Sequence, residues 1–381
     1  MRMIETGGRI APRLQRRLSQ SQPTAVAPAS PPLELDHEEL VVRRGPRSGC
    51  EVIVAIHSTV LGPALGGLRM WPFPTALDGI ADALRLARGM TYKAAAAGLD
   101  LGGGKGVIRA PGANGSSNGA AGVLRRDMLL DFAEVVESLG GRYITAEDVG
   151  TGPDDMVVIS ELTSHVTGLP PDRGGTGDPS PFTALGVHAA IRSCVAHRRG
   201  APDLTGLGIV VVGLGHVGSN LARRLAEAGA RLTVADVDTA KRALADELDA
   251  RWVEPDEALR AQCDVLAPCA LGGVIDRSTI DTLRAEIVCG AANNQLADEG
   301  LATELAQRGI LCAPDFIANA GGLMNVYREL HRHDEEWTRQ RAAGIEQTMD
   351  RILATAEERK LTPLAAAYEI ARERLSAALR N

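Results

Sequence analysis

Ile209-Val210-Val211-Val212-Gly213-Leu214-Gly215-His216-Val217-Gly218 decides the fold: four β-branched residues run straight into a glycine-rich turn. An unbroken apolar run of this kind reads as a strand buried on both faces of a parallel sheet. The text after it is helical and ends at Gly229. Gly213 permits the tight turn, Gly215 lets backbone amides approach a pyrophosphate, and Gly218 lets helix and strand close together. His216 and Val217 fill the variable positions, with His216 facing solvent. Asp236 ends the next run, Leu232-Thr233-Val234-Ala235, where a carboxylate can accept hydrogen bonds from an adenosine ribose and repel a 2′-phosphate. Strand, turn, helix and acid together predict a Rossmann-type unit that takes NAD rather than NADP.

Working outward, further buried strands are predicted at residues 263–267, 287–289 and 310–313, separated by helical stretches. Ligands of such sheets sit beyond the carboxyl ends of the strands. Asn293, Asn294 and Asn319 fall there, able to donate and accept hydrogen bonds, although loop caps would use asparagine equally well.

The first part of the chain alternates strand-like runs such as Glu51-Val52-Ile53-Val54-Ala55-Ile56 with helical ones. A helix is expected over 78–97, with Thr75 as N-cap and Gly98 as its stop, so Lys93 lies in its last turns. A second is expected over 123–139, and a mobile surface loop over the Gly/Asn/Ser-rich residues 111–122. Lys105 follows Gly102-Gly103-Gly104, twelve residues after Lys93, and a turn between the two lysines is expected to fold it back toward Lys93. The chain holds just four lysines, Lys93, Lys105, Lys241 and Lys360. Arginine cannot deprotonate, whereas a lysine beside another cation in a poorly solvated cleft can act as an acid or base. Two solvated surface lysines are the plain alternative. Asp148, after Tyr143-Ile144-Thr145, can shuttle protons from a strand end or serve as a turn aspartate.

The predicted organisation is α/β in two domains: a disordered tail at 1–33, a substrate domain at 34–168, a dinucleotide domain at 169–362, and a C-terminal helix at 363–381 that returns to the first domain. With 381 residues and a net charge of -7, the chain has no basic surplus, so nucleic acid is not an expected partner. No apolar run is long enough to cross a bilayer and no secretory signal is visible, so a cytoplasmic protein without membrane association is expected. The six cysteines show no metal-ligand spacing and read as buried thiols. His331 and His333, in a charged stretch, read as solvated, and no metal is expected.

The residues resemble the glutamate/leucine/phenylalanine/valine dehydrogenase family, most closely its leucine and valine dehydrogenase branch. The resemblance rests on Gly62-Pro63-Ala64-Leu65-Gly66-Gly67-Leu68-Arg69-Met70, Gly89-Met90-Thr91-Tyr92-Lys93, Gly102-Gly103-Gly104-Lys105, residues 145–150, Ala291-Ala292-Asn293-Asn294-Gln295-Leu296 and Asn319-Ala320-Gly321-Gly322. It runs in the same order from about residue 35 to the C-terminus. It implies NAD-dependent, reversible oxidative deamination of an L-amino acid to a 2-oxo acid and ammonia by a homo-oligomer. By that resemblance Lys93 holds the substrate carboxylate with Asn294 and a backbone amide near Gly67. Lys105 activates the attacking water, Asp148 exchanges protons with the amine, and Thr183 and Asn293 line the nicotinamide half.

The resemblance also implies a substrate class. The glutamate branch has a lysine at the position of Leu65 and a serine at that of Val326. Neither Leu65 nor Val326 can pair with a distal carboxylate, which would be buried at a penalty of several kcal/mol. With Ala146 and Leu323 they resemble the apolar pocket of the branched-chain enzymes, which points to valine, leucine, isoleucine or 2-aminobutyrate. Leu68 stands where threonine is usual, Tyr327-Arg328 replaces a small-acidic pair, and residues 111–122 are unlike the family's connection. The same chemistry on an aromatic or unusual amino acid, or a non-catalytic NAD-binding regulator, remains the alternative.

Overall fold

The computed structural model describes residues 36–111, 120–270 and 272–380. The expected tail at 1–33 and most of the expected 111–122 loop lie outside these residues, and Ala120 already begins a helix.

In the first part, β1 (Glu39–Arg44), β2 (Glu51–Ser58), β3 (Ala64–Trp71), β4 (Gly102–Arg109) and β5 (Tyr143–Glu147) form one mixed sheet. Its order is β1-β2-β4-β3-β5, with β1, β2 and β4 antiparallel in turn and β3 parallel to both β4 and β5. Alternation along the strands sorts the side chains between two faces. Leu68, Ile108 and Tyr143 pack with Phe132 and Val136 of helix Ala120–Ser138 on one side. Ile53, Ala55 and Val107 pack with Ala83, Leu84 and Ala87 of helix Ala76–Ala96 on the other. Thr75 caps that helix in a reciprocal pair with Asp78. The turn expected between Lys93 and Lys105 lies at residues 97–101, where Gly98 has φ 73, and Gly102, Gly103 and Gly104 already belong to β4. The glycines answer a steric demand, since a Cβ on Gly103 would stand 2.1 Å from the Thr91 backbone nitrogen.

The second sheet is wholly parallel: β6 (Gly208–Val212), β7 (Arg231–Ala235), β8 (Arg251–Trp252), β9 (Cys263–Pro268), β10 (Ala285–Val288) and β11 (Leu311–Cys312). The order β8-β7-β6-β9-β10-β11 makes the chain turn outward in opposite directions on either side of β6, which opens a crevice at the ends of β6 and β9. Helices Ser180–Arg199, His216–Glu227 and Ile345–Arg359 cover it, burying Val187, Ile191, Leu221, Leu225 and Ile352 against Ile209 and Val211. Each such side chain, fully buried, contributes about 1.5–3 kcal/mol.

Thr362 caps and Pro363 starts the last helix, Pro363–Ala378. From it Arg374 donates to the carbonyls of Ala94 (3.3 Å), Ala95 (3.0 Å) and Leu99 (2.8 Å) and to Asp100 Oδ1 (2.7 Å). The end of the Lys93-bearing helix, whose Ala94 and Ala95 carbonyls also accept from the Leu99 and Gly98 amides, is thus tied to the C-terminal helix. All six cysteines are free, five of them buried and Cys269 partly so. Among the described residues no helix is long and apolar enough to cross a membrane. His331 and His333 are exposed but not merely solvated: His331 stacks on Tyr327 (4.0 Å between centroids) and His333 on Trp337 (4.5 Å).

Candidate active site

The register of the first sheet gathers one group of side chains on a single face. Leu65 lies opposite Gly103 and Ile144, Gly67 opposite Ala146, and Arg69 opposite Val107. Leu65, Gly67, Arg69, Lys105 and Ala146 therefore share the face covered by helix Ala76–Ala96, and Asp148 follows one step beyond β5. Lys105 is 5% exposed, and its Nζ lies 2.8 Å from Asp148 Oδ2. Arg69 Nε sits 2.9 Å from the same oxygen, while Arg69 Nη1 reaches Asp82 Oδ2 at 2.8 Å. Gly67 makes room for this cluster, because a Cβ there would lie 2.8 Å from Asp148 Cβ.

The charges shape one another. Burial pushes the Lys105 amine below its ordinary value, against the opposing pull of Asp148. Burial acts to raise the Asp148 carboxyl, but Lys105 and then Arg69 outweigh it and hold the group below the usual carboxylate range. Together they form an amine that can lose its proton and a carboxylate able to exchange one.

Lys93 projects from the last turn of its helix toward the second sheet. Its Nζ donates to Asn319 Oδ1 at 2.6 Å, and Asn319 Nδ2 donates to Asn293 Oδ1 (2.8 Å) and to the Ala291 carbonyl (3.1 Å). Burial lowers the Lys93 amine to about 8, with Asp315 pulling the other way. A cavity of about 220 Å³ brings Lys93, Lys105, Asp148 and Arg69 together with Asn293 and Asn294. Met90, Phe316 and Leu364 supply part of its apolar wall.

Leu65, Ala146, Leu323 and Val326 do not line that cavity. Leu65 (2% exposed) and Leu323 (7%) sit in one continuous apolar core with Val326 packed against it. Ala146 is half-buried on the same sheet face as Leu65.

Each fingerprint glycine has a geometric reason. Gly213 has φ 99, and a Cβ there would come within 2.8 Å of the Ala270 nitrogen. A Cβ on Gly218 would lie 1.9 Å from the Gly213 carbonyl oxygen, whereas one on Gly215 would meet nothing within 4 Å. Gly215 caps helix His216–Glu227, so open space lies at the helix end whose amides favour an anion. A dinucleotide pyrophosphate fits this cradle. Asp236, expected at the adenosine ribose, holds the turn itself: Oδ2 accepts from the Leu214 amide at 2.5 Å and Oδ1 from the Asp238 amide at 2.8 Å. His216 is exposed with Nδ1 3.2 Å from Asp178 Oδ2, and Val217 is half-buried. Thr183, within helix Ser180–Arg199, is buried and donates to the Pro179 carbonyl at 3.1 Å.

Sequence reasoning passed over Arg69, Asp82 and Asp315. For Arg69 a signal existed, since it lies two residues from Gly67 on a strand that already carries site residues.

Residues 37–165 match the family model described as Glu/Leu/Phe/Val dehydrogenase, dimerisation domain, and residues 233–381 the model described as Glutamate/Leucine/Phenylalanine/Valine dehydrogenase. Leucine dehydrogenase of Bacillus subtilis (strain 168) is 43% identical over 346 residues, covering 89% of this chain and 92% of that protein. Valine dehydrogenase of Streptomyces virginiae is 44% identical over 344 residues, 89% of this chain and 94% of its own. The crystal structure of L-tryptophan dehydrogenase from Nostoc punctiforme superposes with a TM-score of 0.79 at 40% identity, over 91% of this chain and 98% of that one.

Proposed function

Because the chain belongs to the glutamate/leucine/phenylalanine/valine dehydrogenase family, we propose that its site deaminates an apolar L-amino acid, with NAD as oxidant, reversibly giving the 2-oxo acid and ammonia. The observation that carries this reading is the 2.8 Å pair of Lys105 and Asp148 on the cavity that also receives Lys93. A non-catalytic dinucleotide-binding protein has no use for two lysines enclosed at one cavity.

Lys93, with Asn294 and the backbone near Gly67, holds the substrate carboxylate. Asp148 takes a proton from the substrate ammonium, leaving the amine whose lone pair assists loss of hydride from Cα. NAD bound at the Gly213–Gly218 turn, with Asp236 on its adenosine side and Thr183, Asn293 and Asn319 toward its nicotinamide, would supply the hydride acceptor. Lys105 removes a proton from the water that adds to the resulting iminium carbon. Asp148 returns its proton to nitrogen and then accepts the hydroxyl proton as the carbonyl forms and ammonia leaves. Enclosure of the cavity by both domains keeps bulk water from the cationic intermediate.

Leu65, Ala146, Leu323 and Val326 would set the substrate class. They offer no partner for a second carboxylate, which argues against glutamate by several kcal/mol. By the family resemblance these aliphatic side chains favour valine, leucine, isoleucine or 2-aminobutyrate. The tryptophan dehydrogenase relative, 42% identical over 350 residues, makes an aromatic amino acid the second reading. A homo-oligomer is supported by the dimerisation description of the matched model, and a cytoplasmic setting by the six free thiols.

The test is kcat/KM for NADH formation across a panel of L-amino acids, repeated with NADP. Aliphatic substrates with NAD should lead, and glutamate should be inert. A lead for tryptophan replaces the substrate reading, and absence of turnover with every amino acid refutes the proposed activity.

A further inference from the structure

Asp315 opens the short helix Asp315–Ala318, which Asn319 ends. Its carboxylate accepts from two backbone amides, Gln295 N at 2.8 Å and Phe316 N at 2.7 Å, and among the described residues no side chain donates to it. The first of these bonds ties down the loop just after Asn294, which is held at φ 51. Asn294 and the loop around it are thereby fixed on the wall of the cavity that Lys93 also lines. Asp315 also lines the cavity that receives Lys93.

Compare the two lysines. Lys105 has an aspartate at 2.8 Å, whereas Lys93 is hydrogen-bonded to a neutral amide, Asn319 Oδ1. An ammonium drawn out of water against a neutral partner loses stability relative to the amine unless an opposite charge stands close by. Asp315, four residues before Asn319 and carried by the second sheet's unit, is in the place to provide that charge.

We propose that Asp315 is a positioning residue for the substrate carboxylate: it pins the Asn293–Asn294 loop and supplies, from the dinucleotide-binding side, the negative charge against which the Lys93 ammonium is held. The inference rests on the proposed role of Lys93 as carboxylate anchor. The other ionisable groups on this wall are already engaged or neutral: Glu299 accepts from the Tyr368 hydroxyl at 2.5 Å, and burial pushes the Cys312 thiol upward. Lys105, Asp148 and Arg69 form their own cluster across the cavity. Burial raises the Asp315 carboxyl, and Lys93 acts to lower it. Asp315 in turn works against the burial that lowers Lys93. Removal of the Asp315 charge lets the Lys93 amine fall further, so it becomes neutral, and stops holding a carboxylate, at a lower pH.

The experiment compares native enzyme, Asp315→Asn and Asp315→Glu in kcat/KM against pH with NAD and the preferred amino acid. Asp315→Asn should move the alkaline fall to lower pH by about one unit or more and raise KM about tenfold there, with kcat at saturation changed less than about threefold. Asp315→Glu, which keeps the charge, should leave the alkaline fall in place. An unmoved fall in Asp315→Asn, or an equal displacement in Asp315→Glu, overturns the proposal; if Asp315→Asn does not fold, Asp315→Ser, which also removes the charge, is read in its place with the same two outcomes. A thermal-unfolding cycle of Lys93→Met, Asp315→Asn and the double variant requires no substrate. Non-additive losses support the pairing and additive ones overturn it, whether or not the proposed activity survives its own test.

Discussion

Replacement of Lys93 by methionine keeps the length of the side chain and removes the one ionisable group that meets Asn319 across the cavity. In the native protein burial brings this amine from 10.5 to about 8. At about 1.4 kcal/mol per unit, the shift amounts to about 3 kcal/mol, and about 1–3 kcal/mol once partial solvent access is allowed for. The folded pKa lies below the unfolded one, so between pH 8 and 10.5 the unfolded chain holds a proton that the folded chain has lost. Stability from this group therefore rises with pH through that window, and below it the native state bears the full penalty. Lys93→Met has no such group, so the difference in unfolding free energy should move toward the native protein by about 1–3 kcal/mol across the window. Denaturant unfolding of both proteins at steps from pH 8 to 10.5 measures it, because the cysteines and tyrosines common to both cancel. Activity should behave differently, with kcat/KM falling about 10–150-fold through loss of a charge-assisted bond to the substrate. Parallel stability profiles would refute the claim that this amine is held poorly solvated.

Asp148→Asn should lower kcat/KM about 10²–10⁴-fold, the usual range for a lost proton-transfer group. It should also shift the acid limb of kcat to lower pH, because Lys105, already depressed by burial and no longer opposed by Asp148, is neutral further into the acid range. An acid limb that stays put separates Lys105 from the rate. Gly215→Ala should leave the melting temperature nearly unchanged, since a Cβ there meets nothing within 4 Å, yet weaken dinucleotide binding measured by calorimetry. Undiminished affinity removes the pyrophosphate from that turn.

The elements most legible in the sequence were those whose signals are local. Thr75 and Gly98 bracket a helix because a side-chain cap and a left-handed stop act within a few residues. The Gly213–Gly218 turn was readable for the same reason, since the strand, the three glycines and the helix that follows lie within one short stretch of chain. What Gly102–Gly104 are for was not legible, because they admit a helix and an aromatic ring from elsewhere in the chain: a Cβ on Gly104 would stand 2.6 Å from the Tyr143 ring. β8, two residues long, carries too little pattern to register. The pairing of Lys105 with Asp148 joins residues 43 positions apart through sheet register, and spacing does not encode it. Asp315 after Pro314 looks like an ordinary helix start, and only the cavity shows what its charge faces. Leu65 and Leu323 could be placed by resemblance, but whether they border open space or packed core is a property of volume, and the structure packs them into core.

Hydride transfer from the substrate's Cα to the nicotinamide is the step on which every assigned role depends. The direct measurement is mass spectrometry of the reduced dinucleotide formed from L-valine deuterated at Cα, in ordinary water. The expected result is NADH that carries the deuterium, with one 2-oxo acid and one ammonium released per turnover. Unlabelled NADH, or labelled NADH formed at an undiminished rate by Lys105→Ala, would contradict the chemistry assigned to this site.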